Sequence, residues 1–374
     1  MHPPVRKALV EALRLVIEEN QYSDKVIEKI GKSNRQFGSR DRRALAGCLY
    51  GVVRNLRKLQ AHADSYEEII DLFLETNGNV DTANMSPAEK HSVCDALYAR
   101  MESELGAEST DALLASMDSQ ADVFIRTNTL KADQASLLQE LQQDGYDIGV
   151  MKEPGECLVL KERKNLFISQ AYKSGKFEVQ DVGSQCLPPI LDVQPGDRVV
   201  DACAGAGGKS LQMAATMKNK GKLIAMDIHQ WKLDELRKRA RRAGVDVIET
   251  KLIENSKTIK RLHGSVDKLL LDVPCTGTGV IKRKPDTKLK YTAEEHESLL
   301  QTQQDILLSY SKMLKPGGQM LYATCSIFPS ENELQIEKFL ESAEGDWKFD
   351  KKLSISPVDY NSDGFFAALL TKQA

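Results

Sequence analysis

The sequence has no run of about 18 apolar residues, which is the length that a membrane-spanning helix needs. Its first twenty residues, MHPPVRKALVEALRLVIEEN, carry charges throughout, and a secretory signal peptide does not. These absences predict a cytoplasmic protein without a membrane partner.

A paired cysteine pattern is also missing. The chain contains seven cysteines, an odd number, and no two of them form a C-x-x-C pair. This argues against a disulfide framework and against a zinc site, so we expect no bound metal. Each cysteine therefore needs an explanation of its own.

A strong net charge is lacking too, and the value of −3 by itself argues against a nucleic-acid partner. The charge is unevenly distributed, however: residues 1–60 hold 13 Lys and Arg against 6 Asp and Glu, whereas residues 61–120 hold 2 against 13. The basic run at 237–242 is typical of a solvated helix face. The run that begins with Lys282, Arg283 and Lys284 lies in a loop beside the candidate chemistry, and there we expect contacts with RNA phosphates.

The chain of 374 residues is long enough for two or three domains. Residues 1–118 show helical periodicity and no candidate chemistry, which predicts a helical N-terminal domain. Apolar and polar residues begin to alternate at Val123, and residues 119–185 read as a small βαβ module. We expect this module to bind RNA through Arg126 and Asn128; the alternative is a cap that only covers the catalytic sheet.

From residue 186 to 374 strands alternate with helices, a pattern that specifies a mostly parallel sheet covered on both faces. Ligands in such α/β sheets bind at the carboxyl ends of the strands. The segment VVDACAGAGGKS, residues 199–210, reads as the end of a strand, a glycine turn and the start of a helix. The free N–H groups of that helix would favour a polar, partly anionic ligand. A turn that serves only strand–helix packing is the alternative.

Three ligand classes compete for this loop. A phosphate-binding P-loop needs glycine at position 203, where the chain has Cys203. A dinucleotide loop needs its third glycine at position 210, where the chain has Ser210. These mismatches favour S-adenosylmethionine, with Asp227 at the end of the next apolar run accepting hydrogen bonds from the ribose hydroxyls.

Two cysteines follow predicted strands in the same way. The run LLLDVPC contains Asp272 and ends with Cys275, and the run MLYATC ends with Cys325. If both strands neighbour the cofactor strand, the three side chains converge where the sulfonium methyl group would lie. A buried cysteine is more often an inert core residue, and that is the alternative for each thiol alone.

Pyrimidine chemistry gives a reason for a thiol at this place. Carbon 5 of the ring is too weak a nucleophile to take a methyl group, but a thiolate that adds to carbon 6 turns the ring into an enamine that can. A group near N3 must stabilise the developing charge, and Asp272 is the available residue. The carbon 5 proton then leaves and the thiolate is eliminated.

The motifs DACAGAGGKS, LLLDVPCTGTG, KPGGQMLYATCSIFPSENE and DGFFAALL together closely resemble the RNA 5-methylcytosine methyltransferases of the RsmB/NOP2/Sun family, over about residues 120–374. The segment GSRDRRALAGCLYGVVRN resembles the NusB-type domain that begins RsmB-like proteins. The resemblance implies an α/β, Rossmann-like S-adenosylmethionine-dependent methyltransferase domain, preceded by an all-helical domain and a small α+β module.

The resemblance also implies residue roles. Cys325 is the nucleophile, and Cys275 is the second thiol, which assists release of the protein–RNA adduct. Ala206 stands where the family has proline. The acidic residue that the family places beside the adenine, after the strand at 245–249, is not evident in this sequence, and Glu254 is only a candidate substitute. The implied cofactor-binding residues are Cys203, Ala204, Gly205, Ala206, Gly207, Gly208, Lys209, Asp227 and Asp272.

The predicted function is therefore RNA cytosine-C5 methylation, with 16S ribosomal RNA as the expected substrate and a monomer as the expected state. Transfer RNA is an alternative substrate. A non-catalytic RNA-binding or ribosome-assembly factor is an alternative from another class. A DNA methyltransferase would use Cys275 as its nucleophile instead.

Overall fold

The computed structural model describes residues 1–359 and 361–373. The chain divides into two compact units. The first comprises Met1–Ser119 together with Ile281–Glu295, and the second comprises Gln120–Val280 and the chain from His296 onward. In the described part of the chain, no helix combines the length and the apolar character that crossing a membrane requires.

The first unit is helical because its apolar residues recur at helical spacing. In the first helix Val5, Leu9, Leu13 and Val16 are buried on one face, and they join a core shared with the following helices. The helices of this part of the chain are Pro3–Ile17, Ser23–Ser33, Ser39–Arg54, Leu56–Gln60, Tyr66–Thr76, Pro87–Lys90, Asp95–Leu105 and Ala107–Ser116.

The segment 281–295 belongs to the helical unit, although the sequence pattern places all of 186–374 in one catalytic domain. It contains the short helix Thr287–Lys290. Asp286 accepts hydrogen bonds from the backbone N–H and the hydroxyl of Ser23, both at 2.9 Å, so the segment is tied to the N-terminal helices.

Lys288 is the most buried charge of this segment, with 0% of its surface exposed. Its ammonium group lies 2.6 Å from Oδ1 of Asp118 and donates to the carbonyl oxygens of Arg54 at 3.1 Å and His91 at 2.9 Å. Burial lowers the pKa of Lys288 to about 8, although the charge of Asp118 acts in the opposite direction. The segment is thus held by a buried ion pair that needs all of its partners.

This arrangement corrects part of the prediction for the basic loop. Lys282 is 2% exposed, and its carbonyl oxygen accepts a hydrogen bond of 2.7 Å from Arg54, so its placement contradicts contact with an RNA phosphate. Arg283 is half-buried and Lys284 is exposed. Of the three predicted side chains, only that of Lys284 is fully available at the surface.

The second unit begins with a four-stranded sheet. Its strands are β1 (Val123–Thr127), β2 (Ile148–Val150), β3 (Cys157–Leu160) and β4 (Phe177–Val179), in the order β2-β3-β1-β4 with every neighbouring pair antiparallel. Because β1 and β2 flank β3, they run parallel, and the helix Gln134–Gln143 connects them as a split βαβ motif. The short helices that follow in the chain are Leu166–Ile168 (a 3-10 helix), Gln170–Lys173, Val182–Cys186 and Pro188–Leu191.

Arg126 and Asn128 do not reach the surface of this module. Arg126 is 2% exposed and its Nε donates to Oε1 of Gln180 at 2.7 Å. Asn128 is 3% exposed, and its amide donates to the carbonyl oxygens of Gly175 and Ala243, both at 2.8 Å. Both side chains stabilise the fold, and this placement contradicts the expectation that they contact RNA.

The remainder of the second unit is built on a seven-stranded sheet. Its strands are β5 Arg198–Asp201, β6 Lys222–Asp227, β7 Ile248–Leu252, β8 Val266–Asp272, β9 Leu314–Thr324, β10 Trp347–Ile355 and β11 Phe365–Lys372. They lie in the order β10-β11-β9-β8-β5-β6-β7. Strands β5 to β9 are parallel, whereas β10 and β11 form an antiparallel hairpin at one edge. The helices of this region are Gly208–Thr216, Gln230–Ala243, Ser256–Lys260, Ala293–Tyr310 and Glu333–Ser342, with 3-10 turns at Thr278–Val280, Ser311–Met313 and Pro329–Glu331.

This architecture confirms the predicted fold class. The predicted strand 245–249 begins three residues later than expected, at Ile248. The chain passes from β5 to β6 and β7 on one side and then returns to β8 on the other side of β5. A doubly wound sheet opens its ligand crevice at such a reversal, beyond the carboxyl ends of the strands.

Replacement of Lys288 by methionine removes a buried charge and its three hydrogen bonds while keeping the side-chain volume. We expect a loss of about 3 kcal/mol in the free energy of unfolding, because Asp118 and two carbonyl oxygens lose a charged donor. Urea unfolding followed by circular dichroism measures the change. Lys284→Met, on the exposed side of the same segment, is the control and should stay within about 0.5 kcal/mol of wild type. Equal unfolding midpoints for Lys288→Met and wild type would contradict a stabilising role for the buried ion pair of Lys288 and Asp118.

Candidate active site

The loop after β5 requires glycine at position 207. Gly207 has a φ of 86°, and a Cβ at this position would lie 2.5 Å from Cγ of Leu236. The close approach lets the helix Gly208–Thr216 start directly after the turn and aim its free N–H groups at the crevice. The loop is therefore shaped by packing against the helix Gln230–Ala243 as well as by its own sequence.

Hydrogen bonds hold the loop open. Asp227, at the end of β6, accepts from the N–H of Gly205 at 3.0 Å and from the N–H of His229 at 2.8 Å. On the other side of the loop, the carbonyl oxygen of Ala206 accepts from Nη1 of Arg239 at 2.8 Å. The loop is thus fixed from two neighbouring elements.

Arg239 belongs to the basic run that the sequence pattern assigns to a solvated face. Together with Arg242 it forms an ion pair with Glu178, at 2.9 and 2.5 Å, and Glu178 is buried. In the same run, Arg237 and Lys238 are exposed. The pattern therefore describes only part of this helix, and the contact of Arg239 with the loop was not predicted.

Three carboxylates surround the loop because β5, β6 and β8 end side by side in Asp201, Asp227 and Asp272. Burial, followed by the charges of these three aspartates, raises the pKa of the Cys203 thiol well above its usual range. The crevice thus carries negative potential and favours a ligand with cationic groups.

Asp201 is the most buried of the three carboxyl groups. Its Oδ2 accepts a hydrogen bond of 2.6 Å from the hydroxyl of Ser210, whereas its Oδ1 meets no hydrogen-bond partner among the described residues. Burial raises the pKa of Asp201 to about 7. An unpaired buried oxygen of this kind is suited to a donor group on a ligand.

Lys209 links the loop to β8. Its ammonium group lies 2.7 Å from Oδ2 of Asp272 and 5.5 Å from the ring centre of Phe365. Burial alone lowers the pKa of Lys209, but the charge and hydrogen bond of Asp272 outweigh it, so the net pKa is raised and the lysine is a cation. Two predicted cofactor-binding residues are therefore joined as an ion pair.

The thiols of Cys275 and Cys325 lie close together, with 3.3 Å between their sulfur atoms. In the parallel ladder of β8 and β9, Asp272 is paired with Ala323, so both chains leave the sheet at the same level. Both thiols are partly exposed. The hydrogen bond with Cys325, burial, and the charges of Cys325 and Glu331 raise the pKa of Cys275 well above its usual range, and Cys275 is protonated at neutral pH.

The predicted site residues thus separate into two groups. The loop residues 203–209, Asp227 and Asp272 lie around one crevice with both thiols, at the carboxyl ends of β5, β6, β8 and β9. The predicted RNA contacts Lys282, Arg126 and Asn128 are buried, whereas Arg283 is half-buried and Lys284 is exposed. Two further residues, Glu331 and Asn332, contact the loops beside the thiols and were not predicted, although the motif PSENE that contains them was noted.

A seven-stranded sheet of this order, with a glycine loop at its switch point, defines the chain as a Rossmann-like methyltransferase. The family described as 16S rRNA methyltransferase RsmB/F matches residues 188–371, and the RsmF/B ferredoxin-like domain matches residues 95–166. The chain is 31% identical over 313 residues to a probable ribosomal RNA small subunit methyltransferase B from Synechocystis, an alignment that covers 78% of this chain and 70% of that protein. The chain belongs to the RsmB/F methyltransferase family.

Solved structures agree on the fold. The crystal structure of PH0851 superimposes with a TM-score of 0.84 at 24% identity, covering 100% of this chain and 99% of the other. The structure of NSun6 from Pyrococcus horikoshii with SFG superimposes with a TM-score of 0.69 at 19% identity, covering 75% and 98%.

Replacement of Asp201 by asparagine should change how stability depends on pH. The pKa of Asp201 is about 7 in the folded chain and about 3.9 for an unfolded aspartate, so its contribution to stability is present below pH 4 and is lost as the pH rises through 7. The asparagine does not titrate. The melting temperature of the variant should therefore rise relative to wild type between about pH 4 and pH 8 and then level off. Differential scanning fluorimetry measures the melting temperatures. A difference between the variant and wild type that does not change with pH would contradict the raised pKa of Asp201.

Proposed function

We propose that this chain is an S-adenosylmethionine-dependent RNA (cytosine-C5) methyltransferase that acts on 16S ribosomal RNA in the cytoplasm. The observation that carries the proposal is the pair of thiols 3.3 Å apart, which follow the ends of β8 and β9; β8 also supplies Asp272 and lies beside β5, which the glycine loop follows. The relatives named ribosomal RNA small subunit methyltransferase B support the substrate class.

The crevice fits S-adenosylmethionine. Asp201, Asp227 and Asp272 match its sulfonium and ammonium charges, and Oδ1 of Asp201 leaves an acceptor for a donor group. Asp227 would accept hydrogen bonds from the ribose hydroxyls, and the N–H groups of the helix from Gly208 would suit the carboxylate. When bound, the cofactor supplies an electrophilic methyl group. The related fold of NSun6 was crystallised with SFG, an analogue of this cofactor, which supports the same choice.

In the proposed reaction Cys325 adds as a thiolate to carbon 6 of the cytosine, and the ring becomes an enamine whose carbon 5 takes the methyl group. Asp272 acts as an acid: it delivers to N3 a proton that the Lys209 ammonium group, 2.7 Å from its Oδ2, replaces, and so neutralises the negative charge that develops on the ring. Carbon 5 then passes its proton to a water molecule, N3 returns its proton to Asp272, the double bond between carbons 5 and 6 re-forms, and the Cys325 sulfur leaves as a thiolate. Cys275, a neutral thiol 3.3 Å away, is placed to donate a hydrogen bond to that leaving sulfur.

Cys325→Ala should abolish methyl transfer without affecting cofactor binding, because it removes the nucleophile. Cys275→Ala should permit transfer but accumulate a protein–RNA adduct that survives denaturing electrophoresis, because release is impaired. Tritiated S-adenosylmethionine with unmodified total RNA, followed by size separation and nucleoside analysis, measures both effects. Cys48→Ala, a buried thiol of the helical unit, is the matched control.

Label recovered as 5-methylcytidine in ribosomal RNA would support the enzyme, the base and the substrate together. Label in the transfer RNA fraction would keep the chemistry and replace the substrate. A wild-type protein that labels no RNA would favour a non-catalytic binding factor. Loss of activity in Cys275→Ala without an adduct would contradict the roles given to the thiols.

Asp227→Ala should weaken S-adenosylmethionine binding by about tenfold or more, because it removes the ribose acceptor and the group that holds the N–H of Gly205. Isothermal titration calorimetry measures the affinity. Glu249→Ala is the control, since Glu249 is a surface carboxylate on the next strand and pairs with Lys222. Equal affinities for Asp227→Ala and wild type would contradict the assigned cofactor site.

A further inference from the structure

Glu331 is a fully buried carboxylate, with 0% of its surface exposed, in the turn that precedes the helix Glu333–Ser342. It accepts hydrogen bonds from the backbone N–H of Thr276 at 2.9 Å, the hydroxyl of Thr276 at 2.6 Å and the amide of Gln303 at 2.9 Å. All three donors are uncharged. A buried carboxyl group needs hydrogen-bond partners, so these contacts tie the turn at Glu331 to Thr276 and Gln303.

Thr276 directly follows Cys275, so Glu331 fixes the loop that carries the second thiol. The amide of Gln303 also donates to the carbonyl oxygen of Pro274 at 3.0 Å, on the other side of Cys275. The loop is therefore restrained both before and after the thiol. This contact pattern limits where the Cys275 sulfur can lie.

The neighbouring Asn332 fixes the other thiol in the same way. Its Oδ1 accepts from the hydroxyl of Thr324 at 2.5 Å, and its Nδ2 donates to the carbonyl oxygen of Ser326 at 3.0 Å. Thr324 and Ser326 are the residues on either side of Cys325. Consecutive residues of one turn thus contact the two loops that carry the two thiols.

The two loops that carry the thiols also contact each other directly, through hydroxyl groups and the backbone. The hydroxyls of Thr276 and Thr278 lie 3.4 and 3.2 Å from the hydroxyl of Ser326, and the N–H of Gly279 donates to the carbonyl oxygen of Cys325 at 2.9 Å. A Cβ on Gly279 would lie 2.8 Å from that oxygen. The loops are therefore in close contact, and Glu331 and Asn332 add hydrogen bonds to them from the turn that follows Cys325.

We propose that Glu331 and Asn332 are positioning residues that set the distance between the two thiols: Glu331 places Cys275 for release of the adduct, and Asn332 places Cys325 for attack. The catalytic part of this inference rests on the proposed function. The separation of the two thiols does not, because it can be measured without RNA.

The first measurement therefore uses phenylarsine oxide, which condenses with two adjacent thiols and loses one water. Phenylarsine oxide that stays bound in an excess of a monothiol is bound to two thiols of the protein. The part of this bound arsenical that is lost in both Cys275→Ala and Cys325→Ala is the part held by this pair of cysteines. We expect Glu331→Ala to lose that portion. Glu333→Ala should keep it, because Glu333 lies two residues further along and pairs with Lys352 at the surface.

The second measurement separates the two steps of catalysis. The first methyl transfer by Glu331→Ala should stay within about twofold of the wild-type rate, because the Cys325 nucleophile keeps its place. The variant should accumulate the adduct and turn over at least about tenfold more slowly, because the displaced Cys275 thiol slows release of the adduct. Asn332→Ala should slow the first transfer instead. A purely structural role would lower both steps together.

A milder pair of variants covers the case in which Glu331→Ala does not fold. Thr276→Val removes the hydroxyl that donates to Glu331 and should show the same defect in release of the adduct. Thr276→Ser keeps the hydroxyl and should release the adduct at the wild-type rate. Unchanged dithiol binding in Glu331→Ala and Thr276→Val, or equal loss of transfer and release, would overturn the proposal. If wild type methylates no RNA while the arsenical pattern is as expected, the proposed function fails and the positioning of the thiols stands.

Discussion

The site depends on the parallel register between β8 and its two neighbours. Because Asp201 at the end of β5 is paired with Leu270, and Asp272 at the end of β8 is paired with Ala323, three strands end at nearly the same level. The side chains that follow those ends therefore meet in one crevice. A shift of this register would move Cys275 away from Cys325 and would separate Asp272 from Lys209.

The crevice combines two electrostatic environments that the sheet keeps apart. On the side of β5 and β6 the aspartates create a negative potential that raises the pKa of the Cys203 thiol and suits a cation. On the side of β8 and β9 the Lys209 ammonium lies against Asp272, near the pair of thiols. The first environment suits a cofactor and the second suits a reacting base, and the ion pair lies where the two meet.

Much of this arrangement could be predicted from the sequence because the relevant signals are local. The glycine loop, the aspartates that end apolar runs and the two cysteines after strands each depend on a few consecutive residues, and the rule for parallel sheets brings strand ends together. The same approach was wrong about Lys282 in the basic loop, because charge by itself does not reveal burial. Lys282, Lys284 and Lys288 belong to the same basic stretch of the sequence, yet of these three lysines only Lys284 is exposed.

The sequence by itself determined the class of fold and the places of the glycine loop and of the two cysteines at strand ends, since apolar periodicity and glycine placement act over short distances. Tertiary structure alone decided which charged and polar side chains are buried and stabilise the fold. Arg126, Asn128 and Lys288 are buried because partners remote in the chain satisfy them, among them Ala243 for Asn128 and Asp118 for Lys288. It also decided the contacts of Glu331, whose carboxylate meets Thr276, 55 residues earlier in the chain. Such contacts depend on how distant segments pack, and no local pattern in the sequence encodes them.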